Sequence, residues 1–460
     1  MSGSDRRSLW HLTEAAGALT RRFLADADSR VSLAEPRAEA NLAQEAMPLH
    51  GKTVLLATKR QLPAALWLLA LDGLARRILL CPPDIAPEHI PGLIAAVGVD
   101  AIVSDGGFPA IEDQDGIPVV SCQDLPAPLA GGGLETEWLL FTSGTTGRPK
   151  MVVHTLASLT GPRNDGPMAV SDAVWSTFYD IRRYGGLQIL LRALLGGGSL
   201  VLSQADESVR GFLTRAGACG VTHILGTPSH WRRALMSPAI AHLHPRYVRL
   251  SGEVADQAIL TQLRQMFPDA GLTHAYASTE AGVGFEVTDG QEGFPASVIE
   301  TPNGAAEIEV AAGSLRIRSA RGGSRYFGDT ARLADPDGFI DTGDMVTRMG
   351  DRYFFAGRRE GIINVGGQKV HPEEVEAIIN RHPLVQMARV KARASPITGA
   401  IVVADIVVRQ ATPAVPLTAF RDELLAACRA AMPAHKVPVF FKEVSALEIG
   451  PAGKLVRTNA

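Results

Sequence analysis

Residues Phe141–Lys150 (FTSGTTGRPK) place two glycines, Gly144 and Gly147, among four hydroxyl side chains, Thr142, Ser143, Thr145 and Thr146, directly behind the apolar run Trp138–Phe141. Such a loop is rich in N–H and O–H donors and lets the backbone come close to a ligand, which suits a polyphosphate. The GxxxxGK[ST] spacing of a P-loop is absent, and on composition alone an ordinary surface loop competes with this reading. Tyr276–Glu280 (YASTE) follows an apolar run ending in Leu272-Thr273-His274-Ala275, so it belongs at the C-terminal end of a strand, where α/β sheets hold ligands. There Thr279 could reach a phosphate oxygen and Glu280 could offer oxygen ligation to magnesium, although a Thr-Glu pair alone is weak. Asp344, in Asp341–Asp344 (DTGD), could accept from ribose hydroxyls; a β-turn aspartate is the commoner explanation. Arg358 opens the segment Gly357–Glu376 and is a candidate partner for sugar or phosphate, and Lys454 in Gly450–Lys454 (GPAGK) is otherwise a solvated tail charge.

The elements that must position these residues are legible in outline. Thr53–Thr58, Arg77–Cys81 and Ala101–Ser104 read as strands separated by helices over Leu62–Ala75 and Pro87–Val97, the alternation of a parallel sheet. Pro126–Gly133 is a breaker-rich linker. A second alternation follows, with helices over Gly185–Leu195 and Val209–Ala218 and strands over Ser199–Ser203 and His223–Leu225. From about Gly304 to Tyr353, short β segments with turn residues predict a small β-barrel or an antiparallel sheet. Beyond Gly361 a strand over Ile362–Val365 precedes a helix opened by Pro372, with Glu373 and Glu374 in its first turn, where acidic groups suit the dipole. A last helix starts near Thr418, with Phe420, Leu424, Leu425 and Cys428 on one face. The predicted fold is α/β: a large N-terminal domain, residues 1–359, of parallel βαβ sheets plus a small β-barrel, followed by a small mobile α+β domain, residues 360–460.

Composition bounds the function. A chain of 460 residues exceeds the roughly 250–300 residues at which one core stops growing, so at least two domains are expected. With 45 Lys and Arg against 48 Asp and Glu, no global field attracts nucleic acid or anionic membrane. Cys81, Cys122, Cys219 and Cys428 form no CxxC pair, which argues against a zinc ribbon or disulfide scaffold. The N-terminus carries charges throughout, and the most apolar stretch, Leu62–Leu71, is shorter than the ~20 residues a membrane span needs. A cytoplasmic protein without membrane or nucleic-acid partners is expected.

Together these segments resemble the ANL adenylating superfamily, which comprises acyl- and aryl-CoA synthetases, peptide-synthetase adenylation domains and beetle luciferases. Its loop [FY]TSGTTGxPK matches at every position of Phe141–Lys150, YGxTE appears as Tyr276-Ala277-Ser278-Thr279-Glu280, and TGD as Thr342-Gly343-Asp344. The hinge motif appears as Gly357–Glu376 and the terminal GK as Gly453-Lys454. The resemblance implies that Thr142–Gly147 hold the β- and γ-phosphates of ATP, with Lys150 also among the nucleotide-binding residues. Gly252 and Glu253 would pass the adenine, Tyr276 would stack on it beside Ala277 and Ser278, and Thr279 would meet the α-phosphate. It likewise implies Glu280 as the magnesium ligand, Asp344 and Arg358 as a ribose clamp, and Lys454 as the lysine bridging the substrate carboxylate and the nucleotide. Glu360 takes the hinge position, and Gly366 and Gly367 would line the channel for a thiol, either CoA or carrier-bound phosphopantetheine.

The activity so implied is ATP-dependent conversion of a small carboxylic acid to an acyl-AMP with release of pyrophosphate, then transfer to CoA. The alternatives are loading of an amino or aryl acid onto a separate carrier protein, a non-catalytic nucleotide-binding homologue and, with least support, oxidative luciferase-type chemistry. A homodimer is compatible with all of them. The chain departs from the family at Ala277, which replaces a glycine, before Gly450, where the usual Pro and Thr are missing, and in its short stretch of about 140 residues ahead of the phosphate loop. Where acyl-CoA synthetases carry an aromatic-histidine pair, this chain reads Tyr179-Asp180. Asp180 either pairs with a substrate ammonium group or is held structurally by Arg182 or Arg183; an arginine reading a second carboxylate is weaker still. The small residues of Ala281–Gly284, Gly282 and Val283 among them, would leave space for an aryl or medium acyl group. His242 and His244 read as surface residues.

Overall fold

The computed structural model describes the chain apart from residues 1–7, 35–48, 107–110, 112–115, 124–132, 143–149, 162–171, 301–305, 330, 396–397, 410–416 and 458–460. Ser143–Gly147 and most of the Pro126–Gly133 linker therefore lie outside the described residues.

Apolar runs without polar alternation become strands buried on both faces, as parallel sheets require. Thr53–Ala57, Arg77–Cys81, Ala101–Ser104, Val119–Ser121 and Glu137–Phe141 run parallel in a seven-stranded sheet, extended antiparallel by Met151–His154 and Arg325–Tyr326. The helix expected to reach Ala75 ends at Leu71. Asp72 stops it, because its buried carboxylate accepts from the Leu9 N–H at 2.7 Å and Trp138 Nε1 at 3.0 Å. The second sheet has eight strands, six of them parallel: Gly271–Ser278, Tyr247–Ser251, His223–Gly226, Val174–Thr177, Ser199–Leu202 and Phe23–Ala25. Gly282–Val287 and Arg30–Ser32 close its two edges antiparallel. Helix Tyr184–Leu195 is buried along most of its length in the largest core, where residues of both sheets meet.

The β-rich region is a five-stranded antiparallel sheet, the second of the two forms expected, and does not close into a barrel. Its order is Phe294–Pro295, Arg352–Arg358, Ile340–Met349, Ser314–Ser319 and Ala306–Ala311. Its first strand is two residues long and ends in proline, which lacks the N–H that a further ladder bond needs. Residues beyond Gly361 build a hairpin, Ile363–Val365 with Gln368–Val370, and a three-stranded sheet covered by helices Pro372–Asn380 and Leu417–Ala431. They enclose a core of their own, with Val375, Ile379, Phe420, Leu424 and Cys428 at its centre. All four cysteines are free, and among the described residues no helix is long and apolar enough to cross a membrane.

Candidate active site

Four adjacent parallel strands end on one edge of the eight-stranded sheet. Beyond them come Phe178–Tyr179, Thr227–His230, Gly252–Glu253 and Thr279–Glu280, so segments far apart in sequence converge at the edge where α/β sheets hold ligands. The two ends of the glycine- and threonine-rich segment, Thr142 and Lys150, adjoin paired strands of the other sheet. Glu137–Phe141 and Met151–His154 pair antiparallel, and the Thr142 N–H donates to the Lys150 carbonyl at 3.0 Å, which closes the loop at its base. The buried His154 on this hairpin joins the two sheets: Nε2 lies 2.7 Å from the Thr279 carbonyl oxygen and Nδ1 lies 3.1 Å from Ser158 Oγ. A carbonyl only accepts, so Nε2 carries a proton, and burial keeps the ring neutral.

The structure brings the two sugar-binding candidates together. Asp344 and Arg358 are directly opposed across two antiparallel strands, with Nε 3.4 Å from the carboxylate, and the Arg358 guanidinium also donates to the Thr342 carbonyl at 2.8 Å. The Tyr276 hydroxyl donates to Asp344 at 2.5 Å, and burial followed by the Asp344 charge keeps that phenol protonated well above its usual range. The Tyr276 ring, expected against an adenine, stacks on Phe285 and Phe355 at 5.7 and 5.6 Å.

Lys454 is brought to this cluster by the C-terminal tail. A β-carbon built on Gly252 would lie 3.6 Å from Lys454 Cε, and Gly252 has φ +88°, a conformation that favours glycine. Burial lowers the Lys454 pKa, Glu253 pulls it back up, Arg358 lowers it again, and Asp344 and Glu280 raise it. The ammonium thus stands among the groups that the motifs selected.

Several residues at the site carry no motif. Tyr326, on a two-residue strand paired to Val152, lies under Lys150 Nζ at 5.3 Å from its ring centroid. Its hydroxyl is pushed up to about 12, first by burial and then by Glu280, to which it is hydrogen-bonded. His230 stacks on Phe178 at 5.3 Å and meets Tyr179 edge-on at 5.9 Å. Its Nδ1 accepts from the Thr227 N–H, and burial pushes its pKa down to about 3, so it too is neutral. The Tyr179 hydroxyl donates to the Ser251 carbonyl at 2.8 Å and fixes that ring as a wall. The available signal was the Thr-Pro-Ser-His run at 227–230, a helix start with proline at its first position.

Of the two readings open for Asp180 the geometry favours the structural one, and the space expected after YASTE is corrected. Both oxygens of Asp180 accept from Arg182, Oδ1 from the Nε at 2.8 Å and Oδ2 from NH2 at 2.5 Å, while the Arg182 guanidinium also donates to the Thr58 carbonyl. Arg182 is 1% exposed, and removing its partner would strand a buried charge; Asp180 is structural. The small residues after YASTE leave no room. A β-carbon on Gly282 would meet the Arg321 carbonyl oxygen at 2.5 Å and one on Gly284 would meet Ile317 at 2.9 Å, while Val283 is buried in the core. They are small because a neighbouring strand approaches closely.

Gly366 and Gly367 form the exposed turn of their hairpin, and Glu360 is exposed in a single 3₁₀ turn, Arg359–Gly361. Neither belongs to the Lys454 cluster. Among the described residues no three His, Cys, Asp or Glu side chains cluster to hold a metal ion unaided. Glu280 is a single carboxylate, hydrogen-bonded to Tyr326. Magnesium is often held in this way, by one or two carboxylates with substrate phosphates.

A pH test follows from His154, whose pKa burial lowers to about 4. The folded value lies below the unfolded ~6.5, so its contribution to stability is present above pH 6.5 and is lost as pH falls toward 4. Between pH 7 and 5 the loss should be about 2 kcal/mol. The melting temperature should fall more over that range in the wild type than in His154→Asn, which retains an amide donor for Thr279. Equal falls would remove His154 from the acid response.

Residues 50–314 match the model of the AMP-binding enzyme family and residues 374–454 that of its C-terminal domain. The chain is 26% identical to 2-succinylbenzoate–CoA ligase of Bacillus velezensis, over 70% of this chain and 68% of that protein. It is 27% identical to feruloyl-CoA synthase of an Amycolatopsis species, over 73% and 72%. In fold it is similar to a benzoate CoA ligase of Burkholderia xenovorans, with a TM-score of 0.80 over 97% of each chain at 20% identity. The loop, the sheet edge and the docked tail lysine thus fall within two matches that together cover more than half the sequence, the aspartate–arginine pair lies on the segment between them, and the chain belongs to the adenylate-forming AMP-binding enzyme family.

Proposed function

We propose that the protein activates a carboxylic acid with ATP, releasing pyrophosphate, and passes the acyl group from the acyl-AMP to the thiol of CoA. The observation that carries this reading is the delivery of Lys454 by the tail to the cluster of Tyr276, Asp344, Arg358 and Glu280. The first step needs no enzymic nucleophile. A carboxylate oxygen attacks the α-phosphorus, and the bond to the bridging oxygen breaks, with pyrophosphate taking the electron pair. Two anions must approach each other, so the work falls to neutralisation and alignment. Lys454 supplies the mobile positive charge, Thr279 and the donors of Thr142–Gly147 receive the phosphates, and Asp344 with Arg358 holds the ribose. Glu280 would hold magnesium, whose charge offsets that of the phosphates when bound. In the second step the thiol sulfur attacks the acyl carbonyl, the carbon–oxygen bond to AMP breaks, and the thiol proton passes to solvent.

An aromatic acid is the substrate class that the wall of Phe178, Tyr179 and His230 favours, and the relatives named above act on succinylbenzoate and ferulate. Asp180 is committed to Arg182, which leaves an amino acid without the carboxylate proposed to read its ammonium group. ATP–pyrophosphate exchange over a panel of benzoates, cinnamates, short fatty acids and amino acids tests the reading, followed by CoA against a phosphopantetheinylated carrier protein as acceptor. Exchange with an aryl acid and a CoA thioester product are expected. Absence of exchange with every acid, or transfer to the carrier alone, would overturn it.

A further inference from the structure

Lys454 lies on a tail whose remaining fold is far from the phosphate loop in sequence, yet its ammonium must arrive within a fraction of an ångström. Both peptide groups beside Lys454 are held by side chains of the eight-stranded sheet's C-terminal edge. On the N-terminal side, Thr227 Oγ1 donates to the Gly453 carbonyl at 2.5 Å. On the C-terminal side, the Leu455 N–H donates to Glu253 Oε1 at 2.7 Å. Neither holder is loose. Thr227 is fully buried, and its hydroxyl also accepts from the His230 N–H at 3.0 Å as the cap of helix Pro228–Leu235. A hydroxyl has one proton; with the cap bond using a lone pair, that proton is free to point at Gly453. The other carboxylate oxygen of Glu253 accepts from the Ser229 N–H at 2.9 Å in the first turn of the same helix.

A third contact fixes the depth of insertion. Gly453 has φ +72°, and a β-carbon there would lie 1.9 Å from His230 Cε1 and 2.5 Å from Nε2, so the tail backbone rests directly on the imidazole edge. The ring cannot yield, because it stacks on Phe178 and its Nδ1 is bonded to Thr227. A tail turn closed by the Gly450 N–H on the Lys454 carbonyl and the Gly453 N–H on the Gly450 carbonyl, both at 2.8 Å, presents these groups together.

We infer that Thr227 and Glu253 are positioning residues for Lys454, a two-point clamp that registers the lysine for adenylation, with His230 as the stop against which Gly453 seats. The inference rests on the proposed acid-activating function and says which contacts make its first step possible. Thr227 touches no reacting atom; it acts through Gly453. The clamp is needed only while the tail is docked, so its loss separates the two half-reactions.

The test uses the full-length protein, with an acid that supports exchange in the wild type. Thr227→Val keeps the branched shape and removes the hydroxyl, Thr227→Ser keeps the hydroxyl, and Gly453→Ala alters the tail without touching the helix cap. A misplacement of about 1 Å costs on the order of 100-fold. Pyrophosphate exchange should therefore fall by about that factor in kcat for Thr227→Val and Gly453→Ala, with KM for ATP little changed. Thioester formation from supplied acyl-adenylate and CoA should stay near wild type in both, and Thr227→Ser should restore exchange. The clamp is overturned if both half-reactions fall together, if exchange survives in both Thr227→Val and Gly453→Ala, or if serine is as defective as valine. A wild type silent toward every acid would instead overturn the acid-activating reading itself.

Discussion

Lys454→Ala is expected to lower ATP–pyrophosphate exchange by at least ~10²–10³-fold while leaving conversion of supplied acyl-adenylate to thioester close to wild type. Electrostatics sets the first magnitude. A unit charge about 4 Å from an anion, at an effective dielectric constant near 20, is worth about 4 kcal/mol, or roughly 10³-fold. Among the described residues the neighbouring cations are already committed. Arg358 is engaged with Asp344 and the Thr342 carbonyl, and Lys150 lies over the Tyr326 ring. The second half of the prediction follows from the chemistry, because once the anhydride exists no second anion has to be brought up to the nucleotide. The depressed pKa of Lys454 adds a pH signature. Exchange needs the charged lysine, so its alkaline limb should lie below the usual lysine range near 10.4. Normal exchange by Lys454→Ala would dismiss the lysine from the first step.

What the sequence revealed and what it concealed divide along a physical line. Local patterns were readable: Arg77–Cys81, Ala101–Ser104 and Val209–Ala218 form as the apolar periodicity indicates, and Pro372 opens its helix. Motifs with fixed spacing were readable too, because Asp344 and Arg358 are pairing partners in an ordinary antiparallel ladder. The hidden features depend on which segments meet. Phe23–Ala25 joins Ser199–Leu202 across more than 170 positions, and Tyr326 reaches Glu280 and Lys150 only because its short strand pairs with Val152–Val153. Asp180 carried two readings that only the placement of Arg182 beneath the Thr58 carbonyl could separate. Small residues at Gly282 and Gly284 signify space in either of two senses, for a ligand or for a neighbouring strand, and here the strand takes it. The sign of such a signal is set by long-range packing.

A hinge at Glu360, as the family resemblance implies, predicts the other large effect, and here the expected loss falls on the second half-reaction. Glu360 is exposed at the centre of the single 3₁₀ turn that joins strand Arg352–Arg358 to the Ile363–Val365 hairpin. With the lysine docked, the glycine turn of that hairpin is exposed to solvent, with φ of +57° at Gly366 and +85° at Gly367. On that reading, the segments beyond Gly361 would turn as a body about this point to bring it to the acyl-AMP. That motion must break the contact of Asn380 with Asp256 at 3.2 Å, the ion pair of Arg381 with Glu292 at 2.6 Å and the two bonds flanking Lys454. Glu360→Pro should leave the docked arrangement nearly intact, because a 3₁₀ turn already uses φ near the −65° that proline imposes. It withholds a rotation whose backbone term alone is of order 1–2 kcal/mol, so thioester formation should slow by about ten-fold or more. Exchange should stay within about three-fold of wild type, or ~0.7 kcal/mol. Measured side by side with Lys454→Ala, the two variants should therefore fail in opposite half-reactions. Equal loss of both activities in Glu360→Pro would mean that the turn at Arg359–Gly361 supports the docked state instead of releasing it.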